Sequence, residues 1–210
     1  MNNQTTFKKV PSSASSISKR KLVFGVGIND ANYVVQPTVN GKQVACPVYK
    51  RWKHMLGRCY SNKVHTERPT YKGCSVAKEW LTFSNFASWY KENHVDDYDL
   101  DKDIQVKGNK AYSSEMCLFV PRCINGLLTD RKAARGEYPQ GVSFHRSSGK
   151  YRARVAIDSK EVMIGLFPTP GLASKAYVKA KNNEIRKKCE QYPEFAEYLI
   201  NHLLDGGVTQ

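Results

Sequence analysis

The sequence has no apolar run long enough to cross a membrane. The longest run near its start, residues 22–28, is interrupted by two glycines, whereas a spanning helix needs about 20 predominantly apolar residues. The same run is too short and too rich in glycine for a signal peptide. We therefore expect no membrane partner.

The sequence also lacks the paired cysteines of a typical zinc site. Its six cysteines are irregularly spaced and form no CxxC pair, which argues against a disulfide framework and favours a reducing cytoplasm. Four of them could bind zinc, but small buried thiols are the favoured interpretation, so zinc is not expected. These four are Cys59, Cys74, Cys117 and Cys123.

Acidic residues are few for the number of basic ones. Nineteen Asp and Glu stand against 33 Lys and Arg, which gives a formal net charge of +14 over 210 residues. Such an excess attracts a polyanion, either nucleic acid or an anionic membrane surface. We favour nucleic acid because no basic amphipathic segment with a large apolar face is present. A basic but inert surface is the alternative.

The first half of the chain has a polar start followed by two helical patterns. Residues 1–20 are polar and basic, which predicts a disordered tail. From Pro47 the apolar residues recur at helical spacing. A second apolar cluster follows within residues 74–93, and its aromatic side chains suit a buried core better than a base-stacking surface. The two sets of apolar residues are Val48, Trp52, Met55, Leu56 and Cys59, and Trp80, Phe83, Phe86, Trp89 and Tyr90.

The middle of the chain predicts a hairpin, a helix and a linker. Residues 98–120 alternate and contain turn signals, which is typical of a hairpin with a long loop. Residues 121–134 predict a short helix, and the charged segment "TDRKAARGE" predicts a linker. The resulting domains are residues 1–20, 21–130 and 131–210, and we expect the piece from about residue 131 to fold by itself.

The last part of the chain predicts a three-stranded sheet backed by a helix. Thr169 and Pro170 suit the N-cap and first turn of that helix, and Pro193 starts a final helix reaching Leu204. Fourteen of residues 131–188 are Lys or Arg against four acids. Alternation along the strands turns one set of residues toward the helix and leaves the other bare. The inward set is Val142, Phe144, Tyr151, Ala153, Val155 and Ile157; the outward set is Ser143, His145, Lys150, Arg152 and Arg154, beside Arg146.

Residues 138–188 resemble the AP2 DNA-binding domain. The resemblance rests on "GVSFHRSSGKYRARVAI" and on "KEVMIGLFPTPGLASKAY". It implies a sheet that enters the major groove of double-stranded DNA, with Ser143, His145, Arg152, Arg154, Glu161 and Met163 facing the groove. Ser143, Glu161 and Met163 depart from the arginine and tryptophan of plant members, so base preference cannot be transferred. The expected DNA-binding residues are Ser143, His145, Arg146, Lys150, Arg152 and Arg154.

Residues 47–128 resemble the HNH-like proteins of phages, many of which carry a C-terminal AP2 domain. The resemblance rests on "RWKHMLGRCY", "LDKDI", "KGNKAYSSE" and "FVPRCIN". It implies an α+β protein in which an HNH-like ββα-metal domain with flanking helices precedes an AP2-like three-stranded antiparallel sheet packed on a helix. The domain order is similar to that of homing endonucleases of phage genomes, which would act in the host-cell cytoplasm.

The nuclease motif is incomplete. The resemblance implies Asp101 and Asn125 as ligands of Mg²⁺ or Mn²⁺ and Asn109 as the loop residue. Lys102 stands where a histidine base is expected, and Met116 replaces a polar residue. A lysine with an ordinary pKa is protonated at neutral pH and is no base. Substitutes for the missing base are Asp103, His65 and His94.

The sequence is therefore compatible with two main functions. The first is a metal-dependent, homing-type DNA endonuclease, whose catalytic residues would be Lys102, Asp103 and Asn109. The second is a catalytically inactive regulator that binds DNA with the same fold. An RNA-binding protein is a remoter third possibility. The sequence leaves the oligomeric state and the target site open.

Overall fold

The protein, seen in a computed structural model, is described here for residues 7–129, 136–158 and 160–204. Over these residues it combines helices with small sheets, which confirms the α+β class. The chain divides into two compact units. The first unit contains Met1–His94 and Gly108–Cys117, and the second contains Val95–Lys107 and Leu118–Gln210. No helix among the described residues is long and apolar enough to cross a membrane.

The first unit is mainly helical. Its helices are α1 (Ala14–Ser18), α2 (Pro47–Tyr60), α3 (Asn62–Glu67) and α4 (Phe83–Asn93), with 3₁₀ turns at Pro69–Tyr71 and Lys78–Leu81. Its short strands are β1 (Thr38–Val39), β2 (Lys42–Gln43), β3 (Ser75–Val76) and β5 (Ala111–Tyr112). Strands β1 and β2 form an antiparallel pair, whereas β3 and β5 pair in parallel.

An aromatic core holds the first unit together. Trp52 on α2 is fully buried, and its indole N–H donates to the backbone oxygen of Trp80 at 2.7 Å. The ring of Phe83 on α4 lies 5.4 Å from that of Trp52, a separation at which aromatic pairs attract. The predicted core role of the aromatic cluster is thus confirmed for Trp80, Phe83 and Phe86, all buried. Tyr49 is buried as well, which the helical pattern did not predict, and Val48 is only half-buried.

The segment expected as a disordered tail has ordered contacts from residue 7 onward. It includes α1, and the guanidinium of Arg20 donates to the backbone oxygens of Asn29 at 2.9 Å and Ala31 at 2.6 Å. These bonds tie the segment to the following loop. Residues 1–6 of the expected tail, and residues 130–135 of the expected linker, lie outside the described residues.

The second unit begins with the hairpin and the helix that follows it. Strands β4 (Tyr98–Asp101) and β6 (Leu118–Pro121) pair antiparallel, with Asp101 opposite Leu118. Helix α5 (Arg122–Leu128) then begins directly after β6. The predicted hairpin and its helix are therefore present, although α5 ends at residue 128. The hairpin and β5 in its loop belong to different units.

The rest of the second unit is a sheet with helices. Strands β7 (Val142–His145), β8 (Lys150–Ile157) and β9 (Lys160–Phe167) form an antiparallel sheet in that order. Helix α6 (Pro170–Gln191) begins at its predicted cap, where the Thr169 hydroxyl accepts from the backbone N–H of Leu172 at 3.2 Å. A 3₁₀ turn at Pro193–Phe195 and helix α7 (Ala196–Ile200) replace the longer final helix that was predicted.

Two apolar clusters stabilise the second unit. The first contains Val142, Ala153 and Val155 of the sheet together with Ala173 and Tyr177 of α6. The second joins the hairpin and α5 to the C-terminal segment, and its buried members are Ile104, Val120, Ile124, Leu127, Ile185, Phe195 and Leu199. The hairpin and the sheet-bearing segment thus share a core, so residues 21–130 do not form one compact unit of their own.

Gly141, just before β7, lies directly against Tyr177 of α6. Its φ of +76° lies in the left-handed region that favours glycine, and an added Cβ would run into the ring of Tyr177. The glycine lets β7 start directly against α6. A side chain at position 141 would therefore strain the contact between β7 and α6.

Candidate nucleic-acid interface and hairpin site

The strand register places the expected DNA-binding residues on one face of the sheet. Ser143 is opposite Arg152, and His145 is opposite Lys150. Successive side chains of a strand point to opposite faces, so residues two apart share a face. Arg154 therefore lies on the same face as Arg152. The opposite face packs on α6 through Ala153 and Val155, which are buried. The predicted division of the sheet into a covered and a bare face is confirmed, with one difference. Phe144 is on the covered side but is 43% exposed.

Arg152 is at the centre of the bare face. One of its terminal nitrogens lies 3.5 Å from the hydroxyl of Ser143. Its Nε is buried and has no hydrogen-bond partner within the described residues. A buried guanidinium N–H without a partner is costly unless a ligand satisfies it. The terminal nitrogens, on the side of Ser143, are the part of Arg152 that an anionic or base-edge acceptor would contact.

Arg154 is an ion-paired cation. One of its terminal nitrogens contacts the carboxylate of Glu161 on β9. A β-bulge on β9, in which Ile164 is the extra residue between the partners of Ala153 and Arg154, shifts the register, so that Arg154 is opposite Met163 and Glu161 is opposite Ala156. The Glu161 carboxylate neutralises part of the positive face that the sequence predicts, and Met163, 53% exposed, adds an apolar contact surface.

The β7–β8 turn carries the other expected contacts. A ring nitrogen of His145 lies 2.8 Å from the hydroxyl of Ser148, which fixes the ring at the end of the strand. Arg146 and Lys150 are both exposed beside it. The turn thus extends the basic face beyond the strands.

At the end of β4, Asp101 stabilises its own turn. Its Oδ1 accepts from the backbone N–H of Asp103 and of Ile104, both at 2.7 Å. Burial raises the pKa of Asp101, against the lowering effects of these two hydrogen bonds and of Lys102, whereas Asp103 raises it further. One carboxylate oxygen of Asp101 therefore already accepts the two hydrogen bonds that stabilise the turn after β4.

Lys102 is a buried cation. It is 6% exposed, and its Nζ lies 2.7 Å from Oδ1 of Asp103. A charge removed from water needs a partner, and Asp103 supplies one. Lys102 thus fills the position of the missing base with an ammonium group, and Asp103 is engaged as its partner.

The remaining nuclease-motif residues belong to different units. Asn125 is half-buried on α5 in the second unit, and its backbone oxygen accepts from the hydroxyl of Thr129 at 2.8 Å. Asn109 belongs to the first unit, where its side chain forms a local turn with Ala111. His65 and His94 also belong to the first unit, and a ring nitrogen of His65 lies 3.0 Å from the backbone oxygen of Arg58.

The hairpin does not fit a divalent metal well. Asp101 uses one oxygen for backbone bonds, and the neighbouring buried charge is the Lys102 ammonium, which repels a second cation. The part of the chain that the structure describes holds no cluster of three or more His, Cys, Asp or Glu able to bind a metal.

Sequence patterns missed two features of these surfaces. The Arg154–Glu161 pair depends on the bulge, and no local signal marks the bulge in the sequence. The burial of Lys102 was missed as well, although its position between two aspartates indicated an available partner. A comparison with protein-family models, with curated proteins and with solved structures gave no match to the chain.

Proposed function

We propose that the protein binds double-stranded DNA through the bare face of the β7–β9 sheet. The observation that carries the proposal is the strand register, which puts Arg152 on the bare face beside Ser143 and in line with Lys150 and Arg154. Arg and Lys side chains bind phosphates and guanine edges, and the major groove admits β-strands. The formal charge of +14 adds sequence-independent attraction.

The order of the elements supports a relationship to phage HNH-like proteins that carry a C-terminal AP2 domain. A hairpin and helix at residues 98–128 precede a three-stranded sheet and helix at residues 142–191. We propose on this basis that the chain combines an HNH-like piece with an AP2-like piece, as in phage endonucleases.

DNA cleavage is the second candidate function. In its favour, β4 ends at a carboxylate, Asp101, and α5 after β6 carries Asn125. Against it, the Lys102 ammonium occupies the position of the base and pairs with Asp103. The geometry therefore supports a DNA-binding protein better than a nuclease.

One experiment separates the two functions. Supercoiled plasmid is incubated with the protein in Mg²⁺ or Mn²⁺, with EDTA as the control, and each mixture is also analysed by gel shift. Binding without nicking is the expected result. Nicking that EDTA and Asp101→Ala both abolish would establish the nuclease instead. Lack of binding at low salt would overturn the proposal as a whole.

If the wild type does not cleave, Lys102→His tests whether the missing base is the reason. The substitution removes the buried ammonium and supplies an imidazole, and metal-dependent nicking would then identify Lys102 as the inactivating residue. Lys102→Ala is the matched control, since it removes the ammonium without adding a base. If the wild type does cleave, loss of that cleavage in Lys102→Ala would make the lysine part of the chemistry.

A further inference from the structure

A basic groove lies in the first unit. The residues that line it fall between positions 24 and 68, whereas the β7–β9 sheet begins at residue 142. The groove encloses about 860 Å³ between α2, α3 and the segment around β2. This volume is within the range of roughly 300–1,000 Å³ typical of ligand sites. Five cations line it against one carboxylate. The cations are Lys42, Lys50, Lys53, Arg58 and Arg68, and the carboxylate is Glu67.

Three of these cations have no acidic partner. Within residues 7–129, 136–158 and 160–204, the side chains of Lys42, Lys50 and Lys53 form no ion pair. Lys50 and Lys53 are exposed on consecutive turns of the same helix face. Their positive charge is therefore available to an anionic ligand.

His54, which also lines the groove, reports the same positive field. Burial lowers the pKa of His54, and the cations Lys50, Arg58, Arg51 and Lys53 each lower it further. A phosphate in the groove would reduce this repulsion. The imidazole is thus a local indicator of the charge that a ligand would meet.

Phe24 adds an aromatic ring to the groove wall. It lies in a tight turn closed by Val23 and Gly27, whose backbone groups exchange hydrogen bonds of 2.8 and 2.9 Å. Phe24 has a φ of +52° and Gly25 a φ of +77°. Such turns favour Gly, Asn or Asp, and a bulky residue with positive φ is an outlier. The turn nevertheless holds a phenyl ring that is 40% exposed.

Gly57 on α2 supports the ring of Phe24. A Cβ at position 57 would lie 3.1 Å from Cζ and 3.3 Å from Cε2 of the phenyl group. The ring therefore rests directly on the helix backbone. Because Gly is a poor residue for a helix interior, its presence there is explained by this approach.

We infer that this groove binds an unpaired nucleic-acid strand, with a base stacked on Phe24 and phosphates held by Lys50 and Lys53. Grooves for single strands combine a cationic track for the backbone with an aromatic platform for bases. A duplex offers its phosphates but keeps its bases stacked on one another, so the aromatic ring favours an unpaired strand. This inference rests on the proposed function in taking nucleic acid as the partner, but it uses a different site.

The test measures binding of a fluorescein-labelled oligothymidylate of about twelve nucleotides, a length within known site sizes. Phe24→Ala should weaken binding about tenfold through lost stacking, and Lys50→Gln with Lys53→Gln should do the same through lost phosphate contacts. The double variant Lys72→Gln with Lys91→Gln removes the same charge from exposed positions outside the groove, and we expect little loss.

Two further variants keep the inference testable if Phe24→Ala does not fold. Phe24→Trp preserves a stacking surface and should bind at least as well as the wild type. Phe24→Leu leaves every charge in place and keeps an apolar side chain against Gly57 but removes the aromatic face, and should weaken binding of the oligonucleotide. Equal affinity of Phe24→Leu and the wild type would contradict the role of Phe24.

The outcomes separate this site from the sheet. Groove variants should leave duplex binding nearly unchanged, and Arg152→Ala should leave oligothymidylate binding nearly unchanged. Duplex binding without any oligothymidylate binding would overturn the groove and leave the proposed function standing. Oligothymidylate binding that the groove variants do not weaken would also overturn it. Lack of binding to either DNA would overturn both.

Discussion

At the residue scale, the ion pair of Arg154 and Glu161 lowers the net positive charge of the sheet's bare face. The side chain of Glu161 on β9 is 61% exposed, and its carboxylate contacts the guanidinium of Arg154. An exposed pair of this kind contributes little to stability, with a median of about 0–1 kcal/mol. Its larger effect is on the charge that the sheet presents to a polyanion.

We predict that Glu161→Ala strengthens duplex binding. The substitution removes a negative charge from the bare face and releases Arg154, so the affinity should rise by several-fold, with a steeper salt dependence. Fluorescence anisotropy with a labelled duplex measures both quantities. Glu197→Ala, exposed on α7, removes the same charge elsewhere and should have a smaller effect. Weaker binding by Glu161→Ala would mean that the carboxylate itself contacts DNA.

His202 is a buried imidazole that makes stability depend on pH. One ring nitrogen lies 3.4 Å from the backbone oxygen of Ile104. Burial lowers the pKa of His202, and Lys107 and Lys181 lower it further, whereas the Ile104 carbonyl and Asp101 act in the opposite direction. In the unfolded chain the same group titrates near pH 6.5.

We predict that this histidine contributes stability above about pH 6.5 and that the contribution is lost as the pH falls through the lowered pKa. In that window the unfolded state binds more protons than the folded state. Thermal unfolding measured from pH 7.5 to about pH 4.5 tests this, with His202→Gln as the comparison. The loss of stability on acidification should be smaller in the variant; identical pH dependence would contradict the assignment.

At the scale of elements, α6 contains a buried ion pair. Lys188 is 3% exposed, and its ammonium lies 3.6 Å from the carboxylate of Glu184 and 2.5 Å from that of Asp158. Glu184 is buried as well, whereas Asp158 is exposed. The three side chains join α6 to the turn between β8 and β9.

We predict that Lys188→Ala destabilises the protein by about 3–5 kcal/mol, because it leaves the buried Glu184 carboxylate without its partner. Chemical denaturation measures the change in the free energy of unfolding. Lys187→Ala, an exposed neighbour on the same helix, should change it by less than about 0.5 kcal/mol. Replacing the pair together by Lys188→Met and Glu184→Leu should restore much of the loss.

Local patterns predicted elements better than they predicted partners. Helix α2 and the cap of α6 follow from spacing and from Thr169 and Pro170, because these signals are local in the chain. The alternation of β8 likewise gave the two faces of the sheet. Three other features depend on residues distant in the sequence. They are the bulge of β9 opposite Arg154, the parallel pairing of β3 with β5 and the burial of Lys188. No local pattern encodes such contacts, so the charge of the candidate face was overestimated.

At the scale of the whole molecule, the second unit should be the minimal fragment that folds. Residues 131–210, which the sequence suggested, omit Ile104, Val120, Ile124 and Leu127 and would expose the apolar residues that pack on them. Burying apolar surface is the main stabilising contribution for a domain of this size.

We predict that residues 95–210, which are the second unit together with the connecting Gly108–Cys117 segment, form a stable fragment that binds duplex DNA. We also predict that residues 131–210 do not fold stably. Circular dichroism during thermal unfolding and a gel shift with a labelled duplex test both fragments. A cooperative transition for residues 131–210, together with full binding, would show that the shared core is dispensable.

Binding of DNA to the bare face through Arg152 is tested by a salt series on the wild type and on Arg152→Ala. For the wild type, the logarithm of duplex affinity should fall linearly with the logarithm of salt concentration. For Arg152→Ala, affinity should drop by about tenfold, since a base or phosphate contact typically contributes on the order of 1–3 kcal/mol, and the salt slope should decrease by about one if the contact is to phosphate. Unchanged affinity and slope in a folded Arg152→Ala variant would show that DNA does not bind through Arg152.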